Sequence, residues 1–380
     1  MRDQDKRVYA WMLTVAAAFC MAAVALRFPQ LIGIEGIAYP DGRVVGGDFI
    51  NLWSAGRLLL EQRVDEIYRS AALQAYQESM AGLGIGLRLW VYPPYSLFLA
   101  APFGLLDYYP ALVLWTVMGL GMLYFGARQF GFSQFETLVI LVSPATQLCI
   151  DNGQTGNFAA GLLLLCLAPA RRGLLAPLAA GVLTIKPQLG ILLPLYWLLQ
   201  RRWRDIVFTG LFVVGLVALS LLVWSPSLWV DYLHDTLATL STLERHGTGP
   251  FMRMIPSVFM SMRITLADPE LALLIHAGWA VVVGIVLLWR LVRVKDATRR
   301  AGLVLVGTVL LTPYIHNYDL NLLTCGALLA LRQVRADGTR VQYREPLVVV
   351  AYIVPILVLG LNAIGLPISP LLILPLIVML

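Results

Sequence analysis

The chain has 380 residues, of which 59% are apolar and only 13% are charged. A soluble globular domain carries about 25% charged residues, so this composition excludes a soluble enzyme and indicates a protein that lies mostly within a lipid bilayer. The net charge of +6 is spread over short breaks between apolar segments, and we therefore expect no nucleic-acid partner.

Apolar runs recur from one end of the chain to the other. Several reach the ~20 residues that a helix needs to cross a bilayer, and others are shorter at about 13–16 residues. We predict an all-α integral membrane protein, a single polytopic membrane domain over 1–380, with about 12 transmembrane helices. The runs are 8–27, 111–127, 137–150, 158–170, 174–200, 205–224, 271–289, 301–315, 320–331, 346–361 and 363–380.

The charges predict an orientation. Basic residues gather in short polar breaks, and the positive-inside rule places such breaks in the cytoplasm. The rule holds for every break if the apolar stretch 91–106 does not cross the membrane, so we predict a re-entrant or surface helix there and cytoplasmic termini. The use of 25 Arg and 3 Lys indicates a GC-rich bacterial genome, and we expect the protein in a bacterial cytoplasmic membrane. The basic breaks are Arg2 to Arg7, Arg128, Arg171 and Arg172, Arg201 to Arg204, Arg290 to Arg300, and Arg332 to Arg344.

Two long segments then lie outside. The first, 28–110, is predicted to carry amphipathic helices at 49–62 and near 70–80 as well as the stretch 91–106. The helix 49–62 would lay Phe49, Leu52, Trp53, Leu58 and Leu59 against the membrane, with polar residues facing water. The second outer segment is predicted at 225–270.

Four polar clusters interrupt the apolar pattern on this outer side: 46–48, 151–157, 186–188 and 314–319. Polar groups at membrane depth are costly, which makes them candidates for function. Together the clusters supply a carboxylate, amides, an ammonium and an imidazole. These groups suit a sugar that is linked to a phosphate.

Each cluster also has a purely structural interpretation. Asp48 would serve as the N-cap of the helix 49–62, and 151–154 would form a simple turn. Lys186, without an evident partner, would snorkel to the interface. His316 and Asp319 would form a satisfied polar pair at a helix end. The other histidines show no metal-ligand spacing, so we expect neither a metal nor another cofactor.

The order and spacing of five motifs resemble a known family. The region 45–335 is similar to the polyprenol-phosphate-sugar-dependent mannosyltransferases of the GT-C fold. The closest group contains the mycobacterial phosphatidylinositol-mannoside α-1,2-mannosyltransferases, glycosyltransferase family 87. The motifs are GDFINLWSAGRLLLE at 47–61, YPPY at 92–95, NGQTGN at 152–157, LTIKPQ at 183–188 and HNYD at 316–319.

The resemblance implies roles for individual residues. Asp48 would be the catalytic base and His316 a second catalytic residue. Lys186 would lie near the lipid phosphate. Further donor-binding residues would be Gln154, Asn157 and Tyr92, with secondary candidates Asn152, Asn51, Arg57, Gln188 and Asp319. The family pattern also implies a metal-independent reaction.

We therefore expect a glycosyltransferase that moves a sugar, mannose in the family's usual case, from a polyprenyl-phosphate donor to a lipid or glycan acceptor at the outer membrane face. Besides donor and acceptor, the partners would be membrane lipids. A single carboxylate base favours inversion, because retention would usually require a second carboxylate as nucleophile. The alternative is a polytopic transporter or flippase for a lipid or solute, although no internal repeat supports it.

Overall fold

The computed structural model describes residues 3–82, 84–169, 173–336 and 344–380. Over these residues the fold is all-α as predicted, and the only β-structure described is two isolated bridges, from Ala38 to Glu35 and to Val44. The predicted basic breaks at Arg2, Arg171, Arg172 and Arg340 lie outside the described residues. The orientation therefore stays a prediction.

Five helices are long and apolar enough to cross a membrane, which confirms a membrane-spanning chain. The count of about 12 spans is not confirmed, because the described part of the chain contains only these five. They are α1 (Asp3–Leu31), α5 (Tyr108–Phe130), α11 (Trp203–Val223), α16 (Pro269–Arg293) and α19 (Arg344–Ala363).

The remaining apolar runs form shorter helices because proline and polar turns divide them. The run 137–150 breaks at Ser143, whose hydroxyl accepts the Thr146 N–H at 3.3 Å and caps a new helix with proline at its first position. The run 174–200 breaks around a 3₁₀ turn at Pro187–Gly190. The shorter helices are α2 (Phe49–Leu60), α3 (Ser70–Ala81), α4 (Leu97–Gly104), α6 (Gln134–Leu141), α7 (Pro144–Asp151), α8 (Gly156–Leu167), α9 (Leu175–Leu183), α10 (Leu193–Leu199), α12 (Ser227–Asp231), α13 (Leu237–His246), α14 (Pro250–Arg253), α15 (Val258–Leu266), α17 (Ala297–Leu311), α18 (Asn321–Ala336), α20 (Ser369–Ile373) and α21 (Pro375–Met379).

Short and long helices occupy different positions in the protein. Every residue of α8 is buried, and so are most residues of α17 and α18. In contrast, α11 exposes most of its apolar side chains, including Leu222 at 84%. In a membrane protein, an apolar surface of this extent is typical of a helix that faces lipid. The short helices α8, α17 and α18 therefore belong to the protein core, and the long helix α11 lies at its apolar surface.

The first outer segment packs onto the protein. The predicted amphipathic helix is α2, but the expectation that its apolar face lies on the membrane is wrong. Phe49 packs edge-on against Phe103 and Tyr108, with ring centroids 6.3 and 5.4 Å away. A Cβ on Gly56 would lie 2.5 Å from the Ala100 carbonyl oxygen, so α2 crosses α4 in backbone contact. The eight residues of α4 rise only about 12 Å, too little to cross a bilayer.

Helix α8 is held against α5 by glycine. A Cβ on Gly161 would lie 2.3 Å from the Met122 carbonyl oxygen. We expect Gly161→Ala to lower the free energy of unfolding by about 1–3 kcal/mol through overpacking. Gly121→Ala, on α5 with no atom within 4 Å of the new methyl group, is the matched control and should be neutral or stabilising. Thermal unfolding in detergent measures both, and equal melting temperatures would contradict the packing.

Candidate active site

A cavity of about 410 Å³ lies where the segments predicted to be outside meet the ends of the core helices. It is the place where most of the sequence-predicted residues come together, although they are spread over more than 270 positions of the chain. The predicted residues that line it are Asp48, Asn51, Tyr92, Gln154, Lys186, Gln188, His316 and Asp319.

Two glycine turns dock against each other beside the cavity. Gly153 has φ +58°, and a Cβ there would lie 2.0 Å from the Gly46 carbonyl oxygen. The Asp48 N–H donates to the Asn152 carbonyl at 2.9 Å. Only glycine allows this approach at this φ. The turn that carries Asp48 therefore sits directly on the turn that carries Gln154.

A second glycine of the same motif brings in the late segment of the chain. A Cβ on Gly156 would lie 2.1 Å from the Tyr318 carbonyl oxygen and 3.1 Å from an Asp319 carboxylate oxygen. There is therefore no room for a side chain at position 156. Through Gly153 and Gly156, one short motif positions both of the predicted carboxylates, Asp48 and Asp319.

The Asp48 carboxylate is held by two partners. Gln154 Nε2 donates to one oxygen at 2.6 Å, and the Arg88 guanidinium pairs with the other. Among the described residues the Asp48 side chain makes no capping bond to α2. Its carboxylate therefore faces the cavity and its partners there, and the capping interpretation has no structural support.

Sequence reasoning missed Arg88, which lines the same cavity with its side chain 19% exposed. It lies on the irregular segment between α3 and α4, outside every quoted motif. The sequence feature that could have indicated it is a single arginine among apolar residues, in the same predicted outer segment as Asp48. A cation within or at the boundary of the membrane is a candidate functional residue, and Arg88 is one for the same reason as Lys186.

Lys186 is ion-paired, so the expectation that it has no partner is wrong. Its Nζ donates to the two carboxylate oxygens of Asp319 at 2.8 and 3.1 Å. Both side chains are less than a tenth exposed. The same Nζ lies 5.4 Å from the centroid of the Tyr318 ring. This buried pair joins the third and fourth polar clusters of the sequence.

His316 lies in the cavity wall between two aromatic rings. It stacks on Tyr318 with ring centroids 4.9 Å apart and planes 3° from parallel, and Phe251 approaches at 4.7 Å. Its buried Nε2 has no hydrogen-bond partner in the described part of the chain. Burial and the Lys186 ammonium lower the pKa of His316, which keeps the ring neutral. A neutral imidazole offers a hydrogen bond to a ligand but no charge.

Tyr92 lines the cavity and connects it to the glycine motif. Its hydroxyl shares a hydrogen bond of 3.2 Å with the Thr155 hydroxyl. Its carbonyl accepts the Tyr68 hydroxyl at 2.8 Å. Both bonds are buried, so the Tyr92 ring is held rigidly in the wall.

Three predicted residues do not reach the cavity. Asn157 Oδ1 accepts from Asn321 at 2.7 Å within the core. Asn152 Nδ2 donates to the Leu148 carbonyl of its own helix at 2.8 Å. Arg57 donates to the Gly104 carbonyl at 3.4 Å, across the α2–α4 contact. Asn157 and Arg57 thus join neighbouring helices, and Asn152 binds a carbonyl at the end of its own helix.

The described residues contain no group of three or more His, Cys, Asp or Glu side chains placed to hold a metal ion. The polar groups that line the cavity are two ion pairs, the carboxyl group of Glu244, an imidazole, amides and hydroxyls. Such a set can take a proton through a carboxylate and balance negative charge through an ammonium or a guanidinium.

The fold and the cavity define an all-α membrane protein with a polar site at the ends of its core helices. The profile of glycosyltransferase family 87 matches residues 90–313, more than half of the chain. The chain therefore belongs to glycosyltransferase family 87. It matches no curated protein and no solved structure. Lys186 and Gln154 fall within the matched range, whereas Asp48 and His316 lie outside it.

The buried pair of Lys186 and Asp319 gives a stability prediction. Asp319→Asn leaves a buried ammonium without its counter-charge, and such a loss costs about 3–5 kcal/mol. Lys186→Met combined with Asp319→Leu removes both charges and should recover most of that loss.

Chemical denaturation in mixed micelles measures these variants. The control is Arg63→Gln, which breaks the exposed pairs of Arg63 with Glu61 and Glu66 and should leave the stability nearly unchanged. A loss for Asp319→Asn no larger than that of the control would show that the two groups are not paired.

Proposed function

We propose that this family 87 enzyme, with the GT-C fold, transfers a sugar, most simply mannose, from a polyprenyl-phosphate donor to a lipid or glycan acceptor. The reaction would take place on the outer face of a bacterial cytoplasmic membrane and would need no metal. One observation carries the proposal: a single cavity gathers Asp48, Gln154, Lys186 and His316 from distant parts of the chain. These are the groups that a displacement at a sugar phosphate requires.

Asp48 is the proposed base. Its carboxylate takes the proton from the acceptor hydroxyl, and the acceptor oxygen forms a bond to the anomeric carbon. The bond from that carbon to the phosphate oxygen breaks, and polyprenyl phosphate leaves with the electron pair. The amide of Gln154, 2.6 Å from the carboxylate, keeps the base oriented.

Two cations are placed for the leaving phosphate. Lys186 and Arg88 both line the cavity, and each is paired with a carboxylate. A phosphate would share these cations as negative charge builds up on its oxygens. The neutral imidazole of His316 adds a hydrogen bond to the same group or to the sugar.

The pairing of Asp319 supports an inverting displacement. A retaining enzyme would need a second carboxylate as nucleophile. Both oxygens of Asp319 accept hydrogen bonds from Lys186, and its side chain is only 4% exposed. A carboxylate buried in this way is a poor nucleophile. Asp48 also has a partner on each oxygen, but its side chain is 35% exposed.

Product analysis tests the proposed function. The purified chain in lipid nanodiscs, given polyprenyl-phosphate mannose and a membrane lipid extract, should release polyprenyl phosphate and form a mannosylated product. Mass spectrometry detects both. A transporter would leave the donor intact, so an unchanged donor overturns the proposal.

Asp48→Asn tests the base. Asparagine keeps the shape and caps helices about as well as aspartate, but it takes no proton at neutral pH. Loss of a general base typically lowers the rate ~10²–10⁴-fold. We expect turnover to fall at least a hundredfold with donor binding retained. The matched control, Asp65→Asn on the exposed surface of the same outer segment, should keep full activity. Turnover of Asp48→Asn above about a tenth of the wild-type rate would exclude the base role.

The orientation is tested by cysteine labelling in a Cys20→Ala background, since the other three cysteines are buried. Cysteines at Asp65 and His246 should react with a membrane-impermeant thiol reagent in intact cells. A cysteine at Arg204 should react only after the cells are opened, because positive loops stay inside. Equal labelling at all three positions would contradict the outer position of the cavity.

A further inference from the structure

Glu244 on α13 lines the cavity but belongs to none of the predicted motifs. Leu240 and Leu243 line the wall beside it, and so does Phe251. Within the described part of the chain, the Glu244 carboxylate makes no hydrogen bond or ion pair. An unpaired carboxylate in an apolar wall is costly and calls for a ligand.

The start of α13 is anchored to the first outer segment. A π-helical turn, Tyr232–Thr236, joins α12 to α13, and such turns are frequent at functional sites. The Thr236 hydroxyl donates to the Tyr68 carbonyl at 3.1 Å, and the Ser70 hydroxyl donates to Asp235. Arg69 pairs with Asp231 at 3.2 Å. These contacts fix where the helix begins over the cavity.

The end of α13 is anchored as well. Arg263 donates to the Glu244 carbonyl at 3.1 Å and to the Gly247 carbonyl, which satisfies orphan carbonyls of the helix end. Arg245 pairs with Glu270 at 2.7 Å. Because both ends of α13 are anchored, the position of Glu244 at the cavity is fixed.

The charges around Glu244 differ from those at the rest of the site. Asp48 and Asp319 each have a cation, whereas the nearby cations Arg245 and Arg263 bind Glu270 and backbone carbonyls. The remaining titratable groups near Glu244 are the Tyr314 phenol and the neutral His316 ring, which line the same cavity. Burial raises the pKa of Glu244 to about 7.

We propose that Glu244 forms the acceptor end of the cavity and accepts hydrogen bonds from the hydroxyl groups of a sugar acceptor. This inference rests on the proposed glycosyl transfer. The donor phosphate is excluded from this end because an unpaired carboxylate repels it, while Lys186 and Arg88 attract it elsewhere in the cavity. An acceptor offers neutral hydroxyl donors, which a carboxylate binds through charge-assisted hydrogen bonds. Its apolar ring face packs on Phe251.

Binding of glycosides tests the acceptor site directly. The probes are hexyl glycosides of mannose, glucose and galactose, titrated calorimetrically onto the full chain in nanodiscs. At least one should bind the wild type, and about tenfold tighter at pH 8 than at pH 6, because the ionised carboxylate is the stronger acceptor. Glu244→Gln should bind at least tenfold more weakly at pH 8 and show no pH dependence.

The control is Glu35→Gln, which removes an exposed carboxylate of the first outer segment outside the cavity. It should leave both affinity and pH dependence unchanged. With a short-chain prenyl-phosphate mannose as donor, Glu244→Gln should raise the KM for the glycoside at least tenfold and leave the KM for the donor unchanged.

The outcomes separate the two proposals. Unchanged glycoside affinity in Glu244→Gln, or no glycoside binding by the wild type, overturns the acceptor site and leaves the donor reaction standing. Glycoside binding that depends on Glu244, without any release of polyprenyl phosphate, overturns the proposed transfer. A loss of donor binding in Glu244→Gln would show that Glu244 binds the donor and would overturn the acceptor site.

Discussion

The site depends on one steric constraint, the backbone contact between glycine turns. Gly153 lies so close to Gly46 that a methyl group would stand 2.0 Å from its carbonyl oxygen, and Gly156 lies equally close to Tyr318. Backbone contacts of this kind leave little freedom to adjust. They set the positions of Asp48 and Asp319 relative to each other before any side chain is considered. A larger residue in place of either glycine would separate the segments that carry Asp48 and Asp319.

Electrostatics then determines how the charged groups of the cavity are paired. Two carboxylates and two cations form the pairs Asp48–Arg88 and Lys186–Asp319. In a region of low dielectric, charges are tolerated when they are paired and hydrogen-bonded. Among the described residues that line the cavity, Glu244 is the titratable carboxyl group without a cationic partner. Under the proposed function, the anionic phosphate would lie at the paired cations and the acceptor hydroxyl groups at Glu244.

The membrane imposes the layout around this site. Backbone polar groups in lipid must be satisfied within the protein, so broken helices are tolerated only where protein surrounds them. Helices such as α8 and α18 are therefore buried, and continuous helices such as α11 and α16 face lipid. The polar groups of the cavity lie where the short helices end, since helix ends and turns are where polar side chains can converge.

Much of this was readable from the sequence. Composition determined the membrane class, because too few charges remain to cover a soluble protein, and most of the predicted cluster residues from Asp48 to Asp319 do line one cavity. The helix count was not predictable, because hydropathy does not distinguish a buried short helix from a span. Nor did local pattern reveal the partner of Lys186, the cavity position of Arg88, or the inward face of Glu244. Those are contacts between segments far apart in the chain, and only the packing of glycines and helices in three dimensions decides them.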